Sequence, residues 1–256
     1  MILIDKKTYA GIPLLEVCEQ ESFNEKRPAV FFIHGFTSAK EHNLHYAYLL
    51  AEKGFRVILP EANFHGERNR GDSEKDMSLQ FWNIIVQTIQ ELEILKNFYV
   101  ETGKVLVNRI GVAGTSMGGI ITLGALTQYD WISCAVSLMG NPCYKKFAQY
   151  LVKVAADMGY DIPFTEEQLE EEYRKLERFD LSKQPEKLNI RPLFFWHGKK
   201  DTIVPYQYAY SFYESVKEQY KDHPERLTFL LDENAEHKVS REGLLKTVSW
   251  FETFLM

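Results

Sequence analysis

Three absences in this 256-residue chain each remove a class of protein. Its cysteines are only Cys18, Cys134 and Cys143, an odd number at irregular spacing. That excludes a disulfide-stapled secreted scaffold and predicts reduced thiols in a cytoplasmic protein, with Cys134 buried in a strand. No basic run interleaved with aromatics occurs, and the formal charge is −6, so nucleic acid is not an expected partner. No apolar run reaches the roughly 20 residues of a membrane span. Only three apolar residues separate Met1 from Asp5, too few for a secretory leader. Internal repeats and low-complexity linkers are missing too. His42 and His45 stand three apart, with neither a carboxylate at zincin spacing nor a cysteine pair, so no metal is expected.

What the chain does have is apolar and aromatic content, 45% and 14%. This is enough for a sizeable core in one α/β domain over residues 1–256. Strand-like and helix-like segments alternate for most of the length, as in a mainly parallel sheet covered on both faces. Residues 8–19, broken by Gly11 and Pro13, predict one or two starting strands. Further strands are expected at 29–33, 55–59, 109–113, 134–138, 193–196 and 227–231, several of them apolar without polar alternation, as buried parallel strands are. Helices are expected at about 44–53 (capped by Gly54), 78–99, 120–126, 206–220 and 244–255. The polar stretch 60–76 reads as loop.

The most informative stretch is Gly114-Thr115-Ser116-Met117-Gly118-Gly119, between an apolar strand and a helical run. A Gly-x-Ser-x-Gly in that context forms a nucleophile elbow, a tight turn that lifts the serine hydroxyl above the sheet. A β-carbon at Gly114 or Gly118 would strike neighbouring backbone.

A serine hydroxyl is a weak nucleophile at neutral pH and needs a general base, itself fixed by a third group. Open α/β sheets place such groups at the C-terminal ends of strands. Asp201 follows the strand Leu193–Trp196 and lies ahead of the last strand, which makes it the candidate acid over Asp130, Asp180 and Asp232. His237 lies in the polar loop after the last strand and is the candidate base. His34 and His197 precede glycines at strand ends and are expected to bond backbone, while His65 and His223 fall in loops. The anion forming on a substrate carbonyl needs preorganised donors. The Met117 N–H, at the start of the elbow helix, is one candidate. The Phe36 N–H is the other, in a loop that Gly35 lets approach the serine.

With those residues in place, the chain resembles the α/β-hydrolase superfamily. It is most similar to serine esterases and peptidase-related proteins grouped with dienelactone hydrolases and prolyl oligopeptidase catalytic domains. The matching pieces are Phe32-Ile33-His34-Gly35-Phe36, Gly114 to Gly119, His197-Gly198-Lys199-Lys200-Asp201 with Val204-Pro205, and Glu236-His237. They span almost the whole chain in the order serine, acid, histidine. The resemblance implies the α/β-hydrolase fold, an eight-stranded, mostly parallel sheet with helices on both faces. It also implies acyl hydrolysis at Ser116, Asp201 and His237, with no metal or organic cofactor. Two departures limit it. Dienelactone hydrolases carry a cysteine nucleophile where this chain has Ser116, and 256 residues leave no room for the propeller of prolyl oligopeptidases. Glu61 stands where many relatives have aspartate, and Glu61 to Arg68 matches that loop loosely. It is read as structural, with Arg68 a candidate substrate contact.

Residues 143–189 form an insert where such proteins often place a lid. Phe147, Tyr150, Leu151 and Val154 predict the apolar face of one short helix above Ser116, and 166–178 a second, mostly solvated one. The alternative is a surface excursion. The expected activity is hydrolysis of small-molecule carboxyl esters of small to medium acyl groups. A small peptidase or aminoacyl hydrolase, and a non-catalytic binding protein on the same fold, are the alternatives.

Overall fold

A computed structural model describes residues 1–256. The chain opens with a hairpin, β1 (Ile2–Tyr9) and β2 (Ile12–Glu19), turned through Ala10 and Gly11, both at positive φ, as tight hairpin turns require. Six further strands follow: β3 (Arg27–Ile33), β4 (Arg56–Pro60), β5 (Val105–Thr115), β6 (Cys134–Leu138), β7 (Leu193–Gly198) and β8 (Leu227–Asp232). They make one eight-stranded sheet in the order β1-β2-β4-β3-β5-β6-β7-β8. The β1–β2 and β2–β4 pairs are antiparallel, and every other neighbouring pair is parallel.

Helices cover both faces, as the alternating pattern predicts. The larger core, 40 buried residues, lies under α3 (Phe81–Glu101), α4 (Met117–Gln128) and α7 (Tyr206–Val216). The smaller, 21 residues, lies under α1 (Leu44–Ala51) and α8 (Arg241–Leu255). Strand β3 shows how one strand serves both. Ala29, Phe31 and Ile33 face the first core and Val30 and Phe32 the second, the period-two alternation of a strand with no solvent face. A short helix, α2 (Glu74–Leu79), begins in the stretch expected to be loop and ends where the long helix is expected to start. Ser73 and Asp76 form a capping box at its start, a signal visible in the sequence.

The insert contains two helices, α5 (Tyr144–Asp157) and α6 (Glu166–Glu177). Thr165 caps α6 through a reciprocal bond pair with Gln168, and Tyr173 and Leu176 are its buried anchors. The first half of the insert is tied to the domain: the Tyr144 hydroxyl donates to the Ile120 carbonyl of α4 at 2.7 Å. Strand order reverses between β3 and β5, which carry the chain from one side of the sheet to the other. Loops diverge at such a switch point and leave a crevice at the C-terminal strand ends.

Candidate active site

Four loops meet in that crevice. The elbow after β5 holds Ser116 at φ 54°, ψ −115°, a conformation that L-residues avoid and that functional sites often store. Close packing holds it there. A β-carbon on Gly118 would sit 2.1 Å from the Ile33 carbonyl oxygen, and one on Gly114 2.4 Å from the Gly118 backbone. The Ser116 N–H donates to the Leu138 carbonyl at 2.8 Å, pinning the turn to β6.

His237 stands between the serine and the acid. Its Nε2 lies 2.8 Å from Ser116 Oγ, and its Nδ1 lies 2.7 Å from Asp201 Oδ2. The loops after β7 and β8 are joined to make this contact. Lys199 and Lys200 donate their N–H groups to the carbonyls of Asp232 and Ala235, at 2.8 and 3.0 Å. Gly198 permits it, since a β-carbon there would lie 2.3 Å from the Glu236 carbonyl oxygen.

The Asp201 carboxylate is completely buried, while the His237 side chain keeps 19% of its exposure, so the imidazole can meet a ligand and the carboxylate cannot. Burial pushes the Asp201 pKa up. Hydrogen bonding to His197, His237 and the Val204 N–H outweighs that and holds it well below the usual carboxylate range. An ionised acid here fixes the Nδ1–H tautomer of His237 and leaves Nε2 free to accept the serine proton.

The sequence-predicted donors also lie beside the serine. A β-carbon on Gly35 would be 3.5 Å from the Ser116 β-carbon, so the loop after β3 runs against the elbow. The Phe36 N–H makes no hydrogen bond within the chain. Met117 is the first residue of α4, where helix N–H groups have no intrahelical acceptor.

The rival aspartates are employed elsewhere. Asp232 Oδ1 accepts the N–H groups of Asn234 and Ala235, shaping the His237 loop. Asp180 accepts the Lys145 N–H at the start of α5. Asp130 is exposed beyond α4. His34 and His197 contact backbone carbonyls, of Gly35 and Val204, as expected.

Arg68 is a correction. Its guanidinium forms a two-pronged pair with Glu91, at 2.7 and 2.8 Å, and donates to the Glu61 carbonyl, so it is spent on the framework rather than held for substrate. Glu61 is structural, as expected. It is buried and holds the Lys40 ammonium at 2.6 Å. Glu41, Glu61 and Glu67 are close enough together to suggest a cation site. The Lys40 ammonium already contacts all three.

Two features escape sequence reasoning. His65 accepts the Thr37 N–H of the loop after β3. A row of aromatic rings also runs outward from that loop, from Phe36 to Phe81 (5.4 Å between ring centres), Trp82 (5.3 Å), Phe147 (6.3 Å) and Tyr208 (6.2 Å). In the sequence, Phe81 and Trp82 mark only the start of an amphipathic helix, and no spacing rule links them to Phe147 or Tyr208.

A hydroxyl, an imidazole and a buried carboxylate in series, on this sheet, define the serine-hydrolase type of α/β-hydrolase site. Comparison with known proteins agrees: residues 41–255 match the model of the prolyl oligopeptidase family, and the chain belongs to that family. It is 52% identical to "Putative esterase YitV" of Bacillus subtilis (strain 168) over 255 residues, 100% of both chains. It is 31% identical to "Esterase YjfP" of Escherichia coli (strain K12), again over 100% of both. Among solved structures, TT1662 from Thermus thermophilus superposes with a TM-score of 0.78 at 20% identity, covering 100% of this chain and 98% of that one.

Proposed function

We propose that the protein is a serine carboxylesterase acting on small-molecule esters of small to medium acyl groups. The observation that carries this is the unbroken series Ser116 Oγ, His237 and Asp201, with contacts of 2.8 and 2.7 Å. His237 Nε2 takes the Ser116 proton as Oγ attacks the ester carbonyl. The anion forming on the carbonyl oxygen is met by the Phe36 and Met117 N–H groups, and Asp201 balances the imidazolium. Collapse expels the alcohol, protonated by His237, and leaves Ser116 acylated. Water, deprotonated by His237, attacks the acyl carbon and releases the acid. No cofactor enters any step. The names of the two curated relatives support ester chemistry over other acyl transfers.

Two further features support the assignment. The aromatic row gives an apolar, uncharged flank suited to an acyl chain, to which α5 of the insert contributes Phe147. The three cysteines are free and buried, which suits a reducing cytoplasm. No helix is long and apolar enough to cross a membrane. The family name raises a peptidase as the second reading. A free substrate amine would need an unpaired carboxylate, and the Glu41, Glu61 and Glu67 cluster is already occupied by Lys40.

The test is a p-nitrophenyl ester chain-length series run beside aminoacyl-p-nitroanilides, with wild type and Ser116→Ala. Ester turnover and stoichiometric labelling by a fluorophosphonate, both lost in the variant, are expected. Faster anilide turnover would favour the peptidase. A wild-type protein that is neither labelled nor active would be a binding protein on this fold.

A further inference from the structure

The loop that carries the Phe36 N–H is held in an unfavourable shape from outside. Gly35 to Ser38 form a tight turn closed by the Ser38 N–H donating to the Gly35 carbonyl at 3.3 Å. Thr37, the third residue of that turn, has φ +57°. A turn with positive φ there usually places glycine or asparagine at that position, and a β-branched residue in it is a genuine outlier. Left to itself, the turn would gain by rotating the Phe36–Thr37 peptide towards the ordinary form with negative φ.

His65 opposes that rotation, and His34 holds the preceding Gly35–Phe36 peptide, the one that carries the Phe36 N–H. His65 Nε2 accepts the Thr37 N–H at 3.1 Å, and its Nδ1 lies 2.8 Å from the Asn63 carbonyl oxygen. His34 Nδ1 lies 2.8 Å from the Gly35 carbonyl oxygen, and its Nε2 accepts the Ala62 N–H at 3.0 Å. Each ring therefore carries its proton on Nδ1, donates it to a carbonyl, and accepts a backbone N–H at Nε2. The rings pack 5.0 Å apart, and His65 also lies edge-on to Phe36 at 5.5 Å. The Gly35 carbonyl and the Thr37 N–H are thus both taken, one on each side of the Phe36 N–H, which alone stays free. Burial lowers the His65 pKa, which keeps Nε2 unprotonated and able to accept.

We infer that His65 is a positioning residue for catalysis: by accepting the Thr37 N–H it locks the strained turn in which the Gly35–Phe36 peptide, held by His34, is seated, and so keeps the Phe36 N–H aimed at the oxyanion. This rests on the esterase assignment above. His65 touches no substrate. Its effect is exerted through the direction of one backbone donor, whose value lies in the transition state more than in the bound ester.

Two variants separate positioning from mere packing. His65→Phe keeps a flat ring against Phe36 and His34 but offers no acceptor. His65→Gln places an amide oxygen near the position of Nε2 without a titrating ring. The readouts are kcat and KM on p-nitrophenyl butyrate, the thermal midpoint, and inhibition by a trifluoromethyl ketone, whose hemiketal oxygen mimics the oxyanion. His65→Phe is expected to lower kcat by about 10- to 100-fold, the range below outright loss of a donor, with KM within threefold of wild type. Ketone affinity should fall in parallel with kcat, and His65→Gln should recover most of both. If His65→Phe keeps wild-type kcat and ketone affinity, or if His65→Gln, folded with a wild-type thermal midpoint, is as impaired as His65→Phe, the inference fails while the esterase assignment stands. If wild type hydrolyses no ester, the assignment itself has failed.

Discussion

His197 and His237 converge on one oxygen of the Asp201 carboxylate. His237 Nδ1 lies 2.7 Å from Oδ2 and His197 Nε2 lies 3.3 Å from it. The other oxygen, Oδ1, accepts the Ile203 and Val204 N–H groups at 2.9 Å each. The two oxygens therefore have separate duties, and their environments are not interchangeable.

This division predicts the outcome of Asp201→Asn. The introduced amide must turn its oxygen towards the two backbone N–H groups, which leaves its NH2 facing His237 Nδ1. A donor there forces the proton of His237 onto Nε2, where it blocks the serine. The same substitution in a chymotrypsin-type triad lowers kcat by about 10⁴-fold, and a loss of similar order is expected here with KM little changed. Steady-state kinetics on p-nitrophenyl acetate would measure it. A variant retaining a tenth of wild-type kcat would show that Asp201 does not set the tautomer.

Glu61 makes stability depend on acid. Burial raises its pKa, but the Lys40 ammonium at 2.6 Å and the Lys40 N–H at 3.1 Å override that and hold it below the usual carboxylate range. A carboxyl whose folded pKa is depressed stabilises the fold above its unfolded value, about 4.3, and loses that contribution as pH falls through the folded value. Glu61→Gln should thus cost several degrees of thermal midpoint at pH 7, since it leaves Lys40 partly unpaired. The gap between variant and wild type should shrink from about pH 5 downwards and close once the pH lies below the folded value. Thermal scans across that range would check it, and a gap constant with pH would assign the loss to packing alone.

The parts of this molecule that were legible in the sequence share a physical character. Buried strands such as Cys134–Leu138 carry unbroken apolar runs, and the elbow glycines mark backbone contacts that no side chain could survive. The convergence of Ser116, Asp201 and His237 was legible because each sits in a strand-end loop on the same edge of the sheet. The first strand was not: Ile2–Tyr9 alternates half-buried and exposed positions around charged Asp5, Lys6 and Lys7, which resembles a polar terminus until β2 is known to pair with it. Charged residues inside strands hid in the same way, because Glu16 and Arg56 are buried through each other and through partners distant in sequence, Tyr99 on Glu16 and the Phe23 and Glu25 carbonyls on Arg56. The role of His65 could not be read either, since it depends on Thr37, 28 positions away.

The aromatic row predicts how acyl preference is set. Trp82 touches Phe81 at 5.3 Å, Tyr144 at 5.1 Å and Phe147 at 6.3 Å between ring centres, so it joins α3 to α5 of the insert. Trp82→Ala removes the middle of that wall and should admit longer acyl chains. The ratio of kcat/KM for p-nitrophenyl decanoate over butyrate is expected to rise about tenfold, consistent with about 1–2 kcal/mol of differential contact. The fold should lose about 2 kcal/mol, less than a fully buried tryptophan would cost. A chain-length profile parallel to wild type would place the acyl chain elsewhere.

Arg191 predicts a loss of stability without a loss of chemistry. It is nearly buried, and its guanidinium reaches five carbonyl groups: Leu126, Tyr129 and Ile132 around the end of α4, and Lys187 and Leu188 at the end of the insert. The planar fork of arginine can serve several acceptors at once, whereas an ammonium has three donors on one point. Arg191→Lys therefore leaves at least two buried carbonyls short of a partner, at about 2–3 kcal/mol in all. For a chain of this size the thermal midpoint should fall by about 5–10 °C. The end of α4 and the return from the insert should loosen first, visible as faster amide exchange over residues 126–132 and 185–191. Ser116 lies at the opposite end of α4, so kcat at 25 °C should follow the folded fraction. A lysine variant with the wild-type midpoint would mean that these carbonyls find other donors, and that the insert is not fastened through Arg191.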